Sequence, residues 1–179
     1  MIKAMQIQKR EAEKIIEVLG IMPVLQKIGK AHLVGSVALD VIVKRDIDIH
    51  IVVEDLYPAI DKIYRQLLNC EQVKEVKIKN FGLELGVLVG IDRFSTTQGV
   101  WSIDFWVTTN EQTTGFANAD RLLLDMTQEH KDIIIKIKND YCDKYGGTSG
   151  GISPKIYEAV VYNNVKNTEE FRSYIQAKD

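Results

Sequence analysis

The sequence predicts an α/β (α+β) fold, with a mixed-direction sheet flanked by helices and a helical C-terminal region. Three observations carry this expectation. Helical and strand periodicities alternate as far as residue 69, several strands then follow one another between residues 75 and 107, and only helical patterns remain beyond. The 179 residues are 45% apolar and 27% charged, enough to bury a core and ordinary for a globular chain.

The elements follow in order. Ala12, Ile15, Ile16 and Leu19 line one face of an opening helix that Gly20 stops. Pro23 starts a second, short helix through Val24, Leu25 and Ile28, with Gly29 at its end. His32-Leu33-Val34 reads as a short strand, Gly35-Ser36 as a tight turn, and Val37 to Ile42 as one or two helical turns. Asp46 to Val53 alternates polar and β-branched residues as a half-buried strand does. Residues 55–69 return to helical period through Leu56, Ile60, Ile63 and Leu67.

Strands are next expected at Val76–Ile78, Leu85–Ile91 and Val100–Val107, the last two forming a hairpin around residues 95–99. A long helical stretch from Leu122 to Tyr141 is broken near Thr127, whose hydroxyl can cap a fresh start. The glycine-rich segment 146–151 lacks the Gly-Lys-Ser/Thr ending of a phosphate-binding loop and reads as a hinge. Ser153-Pro154 and Thr168-Glu169-Glu170 open two closing helices. The expected division is a core with N-terminal helices over residues 1–110 and a helical region packed on it over 111–179.

Charge and composition narrow the partners. A net charge of -2 and a pI near 6.0 give no basic stripe for long nucleic acid. Asp40, Lys44 and Arg45 interrupt the longest apolar region, so no membrane span is expected, and the first twenty residues lack the apolar stretch of a secretory signal. Cys70 and Cys142 stand far apart without metal or redox spacing, which suits reduced thiols in a cytoplasmic protein.

The chemistry gathers at three carboxylates. On one strand Asp46, Asp48 and His50 share a face, holding two carboxylates side by side. A divalent cation between them turns repulsion into ligation, and oxygen ligands suit magnesium, or manganese, rather than zinc. A bare D-x-D also occurs at solvated strand ends with no metal. Here Gly35-Ser36 lies eleven residues upstream, where glycine lets backbone approach a phosphate, and Asp104 stands alone in the apolar strand Trp101–Val107. A metal shared with Asp46 and Asp48 would compensate Asp104, and a salt bridge, for example to Arg93, is the alternative. His50 is read as structural before ligand-orienting. Trp101, Trp106 and Tyr157 are read as packing before base stacking.

Gly35-Ser36-Val37-Ala38, Asp46-Ile47-Asp48-Ile49 and Ile103-Asp104-Phe105 together resemble the signature of the DNA polymerase beta nucleotidyltransferase superfamily, over roughly residues 30–107. The resemblance implies a nucleotidyltransferase-type sheet. It also implies that Asp46, Asp48 and Asp104 are the catalytic, metal-binding carboxylates, that a nucleoside triphosphate is the substrate, and that Gly35 and Ser36 hold the triphosphate. The chain departs from many members at Asp40 and Arg45, and Ala38-Leu39-Asp40 is similar to small antibiotic-modifying members. Lys44 and Arg45 are candidates to contact phosphate, the alternative being solvated loop cations.

The expected function is therefore transfer of a nucleoside monophosphate to a hydroxyl of a small acceptor by a two-metal mechanism. The other readings are a protein-modifying, antitoxin-like enzyme, with a homodimer or protein partner, and a catalytically silent nucleotide-binding member. The C-terminal helices are expected to cap the cleft on the acceptor side.

Overall fold

The computed structural model describes residues 2–145 and 151–178. The chain opens with α1 (Ile2–Leu19) and α2 (Met22–Ile28), which leads directly into β1 (Gly29–Val34), longer than the three residues the sequence suggested. The short α3 (Gly35–Ala38), β2 (Asp46–Val53) and α4 (Leu56–Leu68) follow. Then come β3 (Lys77–Asn80), β4 (Val87–Thr96) and β5 (Gly99–Thr108). The turn between β4 and β5 is tighter than expected, because the ladder continues to Thr96 opposite Gly99.

The five strands form one sheet in the order β1-β2-β5-β4-β3. Only β2 and β5 run parallel; the other neighbours are antiparallel. The alternation read from the sequence sets which face is which. Ile47, Ile49, Ile51 and Val53 of β2, with Trp101, Ile103, Phe105 and Val107 of β5, are all buried on one face against α1, α2 and α4. Each such side chain contributes about 1.5–3 kcal/mol of burial, so the register cannot slip by one residue without turning this layer to solvent. The opposite face carries Asp46, Asp48 and His50 of β2 beside Ser102, Asp104 and Trp106 of β5.

Over that second face lie α5 (Phe116–Asp125), α6 (Gln128–Tyr145) and α7 (Ile152–Asn163), with α8 (Thr168–Gln176) packed on α6 and α7. The break expected at Thr127 is real. Its hydroxyl accepts from the His130 amide at 3.2 Å, while His130 Nδ1 accepts from the Thr127 amide at 3.3 Å, a capping box in which histidine replaces the usual Glu. The closing helices start slightly differently from the sequence reading: α7 begins at Ile152, and the cap of α8 is Asn167, whose side chain accepts from the amides of Glu169 and Glu170. The hinge expectation falls mostly on residues 146–150, outside the described residues.

These helices build a second apolar cluster around Leu122, Ile134, Ile137, Ile156, Tyr157 and Phe171. It also takes in Leu39 and Val41 from the segment between α3 and β2. In the same segment Asp40 bridges Lys9 of α1 at 2.6 Å and Lys131 of α6 at 3.2 Å. Cys70 and Cys142 are free thiols. Among the described residues no helix is long and apolar enough to cross a membrane.

Candidate active site

The registers of four strand pairs align one row of residues across the sheet. Val34 stands opposite Asp48, Asp48 opposite Asp104, Asp104 opposite Gly90, and Gly90 opposite Lys77. Neighbouring strands are about 4.8 Å apart, so Asp48 and Asp104 are held as near neighbours by backbone alone. Asp46 lies one step along the same face, where its Oδ1 accepts from Ser102 Oγ at 3.1 Å.

The turn after β1 is shaped to this row. Gly35 sits at φ 68°, and a Cβ placed there would lie 2.6 Å from Asp48 Oδ2, so the carboxylate rests against bare backbone. Ser36 follows in α3 and is 93% buried (7% exposed).

Crowding of like charges marks the electrostatics. Burial, then the charges of Asp46 and Asp104, push Asp48 up to about 7. Asp104 is also raised, by burial first, although Lys77 opposes the rise. Burial pushes His50 down to about 4, leaving it neutral, and its Nδ1 accepts from the Gly115 amide at 2.9 Å. That bond ties the start of α5 to the sheet and supports the structural reading of His50.

A cavity of about 260 Å³ opens over this face. Gly35, Ser36, Lys44, Asp46, Asp48 and His50 form its sheet side. Asn118 of α5, Lys138 of α6, and Ser153 and Tyr157 of α7 form the opposite wall. Lys138 is 3% exposed, and its ammonium donates to Val41 O at 2.9 Å and to Tyr157 Oη at 3.2 Å. Burial lowers it to about 8, with Asp46 and Asp48 holding it up against that trend. Burial likewise raises the Tyr157 hydroxyl, which stays protonated.

Not every candidate from the sequence meets here. Asp46, Asp48, Gly35, Ser36 and Lys44 line the cavity, and Asp104 and Arg45 do not. Arg45 lies against Gly99, with its Nε 3.7 Å from Glu11 Oε2, because the residue before Asp46 alternates away from the carboxylate face. Asp104 shares the face, but its Oδ1 is paired with Lys77 Nζ at 3.3 Å; Arg93, offered as its partner by the sequence, lies in the bulge between Ile91 and Phe94.

Lys138, Asn118 and Ser153 were missed. Lys138 did leave a signal: it occupies a core-facing position of α6 between Ile134 and Tyr141, where the helical period calls for an apolar residue. Tyr157, read as packing, has its ring in the core and its hydroxyl on the cavity wall.

The carboxylates fit a divalent cation. All donors are oxygens, Asp46 and Asp48 share one cavity floor, and Asp104 Oδ1 is buried without a well-formed hydrogen bond. Among the described residues no group of three or more His, Cys, Asp or Glu side chains is already drawn together as a metal site, in keeping with the turn of Asp104 toward Lys77.

No family model matches the chain, and no curated protein matches it. Solved structures do. A cytoplasmic RNA terminal U-transferase superposes with a TM-score of 0.63 at 12% identity, covering 88% of this chain and 49% of that one. The Cid1 poly(U) polymerase with MgGTP bound gives 0.58 at 11% identity, covering 79% and 44%. The GLD-2/RNP-8 complex gives 0.58 at 10% identity, covering 90% and 64%. The chain thus spans less than two thirds of each of these structures. At such identities the likeness is one of fold, and the five-stranded mixed sheet with its flanking helices is a nucleotidyltransferase-type fold.

Proposed function

We propose that the protein transfers a nucleoside monophosphate from a nucleoside triphosphate to a hydroxyl of a small-molecule acceptor, the new ester bond replacing the α–β phosphoanhydride bond with release of pyrophosphate. One observation carries this reading: Asp46 and Asp48 lie side by side on a cavity floor, with Asp104 opposite Asp48 on the adjoining strand. Magnesium, or manganese, bound by these carboxylates supplies the charge that stabilises the attacking and leaving oxygens of an in-line displacement. The chain's own residues do the positioning. Gly35 and Ser36 offer backbone and hydroxyl donors at the turn, while Lys44 and Lys138 bring two positive charges to the cavity for the phosphates. Lys138 is suited to this because its stem is packed and its ammonium already fixed by Val41 and Tyr157.

The net charge of -2 supports a small acceptor over a long nucleic acid. A second reading, transfer to the terminal hydroxyl of an RNA, is favoured by the fold, since the superposing structures are described as an RNA terminal U-transferase and a poly(U) polymerase. Protein modification and a catalytically silent nucleotide-binding role have no comparable observation behind them. The test is incubation with each nucleoside triphosphate and magnesium, with small hydroxylated compounds or short RNAs as acceptors, followed by mass spectrometry. A nucleoside monophosphate added to a small acceptor supports the first reading. Extension of RNA alone selects the second. No pyrophosphate release with any acceptor overturns both.

A further inference from the structure

Asp104 has a partner that the proposed reaction does not use. Lys77 stands two strands away from it, with Gly90 between them in the same row. A side chain at position 90 would block the path: its Cβ would meet Lys77 Cε at 2.4 Å and Asp104 Oδ1 at 2.7 Å. The lysine stem therefore runs over bare backbone, as happens where glycine occupies a strand so that another group can approach closely. Its ammonium arrives 3.3 Å from Asp104 Oδ1 and pairs also with Asp92, on the exposed bulge of β4. Asp104 Oδ1 is out of contact with solvent, so this ammonium neutralises it in place of water.

The ammonium and a divalent cation compete for one carboxylate. An ion seated against Asp104 would meet the repulsion of a positive charge already there, whereas an ion at Asp46 and Asp48 is farther along the row. We infer that Lys77 is the resident counter-ion of Asp104, displaced when a divalent cation takes Asp104, and that it thereby sets the affinity of the second metal position without setting that of the first. Asp92 acts in the opposite sense, by giving the displaced ammonium a second anion to pair with. The inference rests on the two-metal reading above, and it makes Lys77 a positioning residue rather than a catalytic one.

The test reads metal directly. The whole chain is titrated with Mn²⁺ in the presence of a non-hydrolysable nucleoside triphosphate analogue, with free Mn²⁺ followed by electron paramagnetic resonance. Wild type is expected to bind one ion tightly and a second more weakly. Lys77→Met should tighten the second ion at least about tenfold, or about 1.4 kcal/mol, and leave the first unchanged. Lys77→Arg, which keeps the charge, should resemble wild type, and Asp92→Asn should weaken the second ion. Equal second-ion affinity in wild type, Lys77→Met and Asp92→Asn overturns the inference while leaving the first site standing. Failure of wild type to bind any Mn²⁺ with the analogue overturns the two-metal reading itself. Asp92 is 61% exposed at its side chain, so its variant decides the matter even if Lys77→Met does not fold.

Discussion

Asp48 packs its carboxylate onto Gly35, with Oδ2 only 2.6 Å from where a Cβ would stand. The strand carrying Asp46 and Asp48 and the Gly35 turn are thus in contact at a point where any side chain would intrude. Gly35→Ala should cost about 1–2 kcal/mol from its positive φ and also push Asp48 aside. Urea unfolding should show a folded, mildly weakened protein, and calorimetry should show magnesium-dependent triphosphate binding reduced at least about tenfold. Unaltered binding would mean that this contact does not position Asp48.

Asp48→Asn should abolish magnesium-dependent triphosphate binding, because an amide is a poor replacement for an anionic ligand. In metal-free buffer the same change should affect stability in a pH-dependent way. Asp48 titrates near 7 in the folded protein and near its ordinary value of 3.8 when unfolded. The folded state therefore holds the extra proton between those values, and its stability falls as pH rises through that window. Because His50, held down to about 4, contributes the opposite slope in both proteins, the comparison is the difference: the melting temperature of wild type minus that of Asp48→Asn should fall from pH 4 to pH 8. Parallel profiles would show that Asp48 carries no burden of burial and repulsion.

Lys138→Met should leave the fold intact, since the stem is packed and the charge itself is costly to bury. On the proposed reading it should lower triphosphate affinity by about tenfold or more, through loss of a positive charge on the cavity wall. Equal calorimetric affinity would remove Lys138 from the site.

Asp40 tests the connection between α1 and α6. It sits at φ 57° and bridges Lys9 and Lys131. Asp40→Asn tolerates that backbone and loses only the charges, about 0.2–1 kcal/mol per pair, an effect that should shrink in high salt. Asp40→Leu should lose roughly a further 1–2 kcal/mol to backbone strain. Denaturant midpoints for both variants at low and high salt check this, and equal midpoints for Asn and Leu would refute the strain component.

The place of α7 changes one expectation from the sequence. A C-terminal cap on the acceptor side would let residues 152–179 be removed with triphosphate binding intact. Ser153 and Tyr157 instead wall the same cavity as Asp46 and Asp48, and Ile156 and Val160 are buried in the second cluster. Truncation should therefore impair both triphosphate binding and stability, measured by calorimetry and thermal melting. A truncated chain that melts and binds like the full one would contradict this placement.

Much of the site was legible because it lies on strands. Alternation in Asp46–Val53 and Trp101–Val107 fixes which side chains share a face, so two local patterns already assign the carboxylates to the side opposite the apolar layer. The same rule would have turned Arg45 away, since it precedes Asp46 by one residue. Lys138 and Ser153 reach the cavity from helices far along the chain, and no local period encodes which helix faces which strand.

By itself, then, the sequence determined the elements, the buried layer of the sheet, the Gly35 turn and the acidic face, because backbone periodicity and side-chain polarity act over a few residues. Beyond the β4-β5 hairpin, tertiary structure alone decided the strand order β1-β2-β5-β4-β3. That order sets Asp104 of β5 beside Asp48 of β2, although α4, β3 and β4 lie between them in sequence, and it brings Lys77 of β3 over Gly90 of β4 toward Asp104. Pairing between strands is chosen by the packing of the whole apolar layer, and such a choice cannot be read from any one segment.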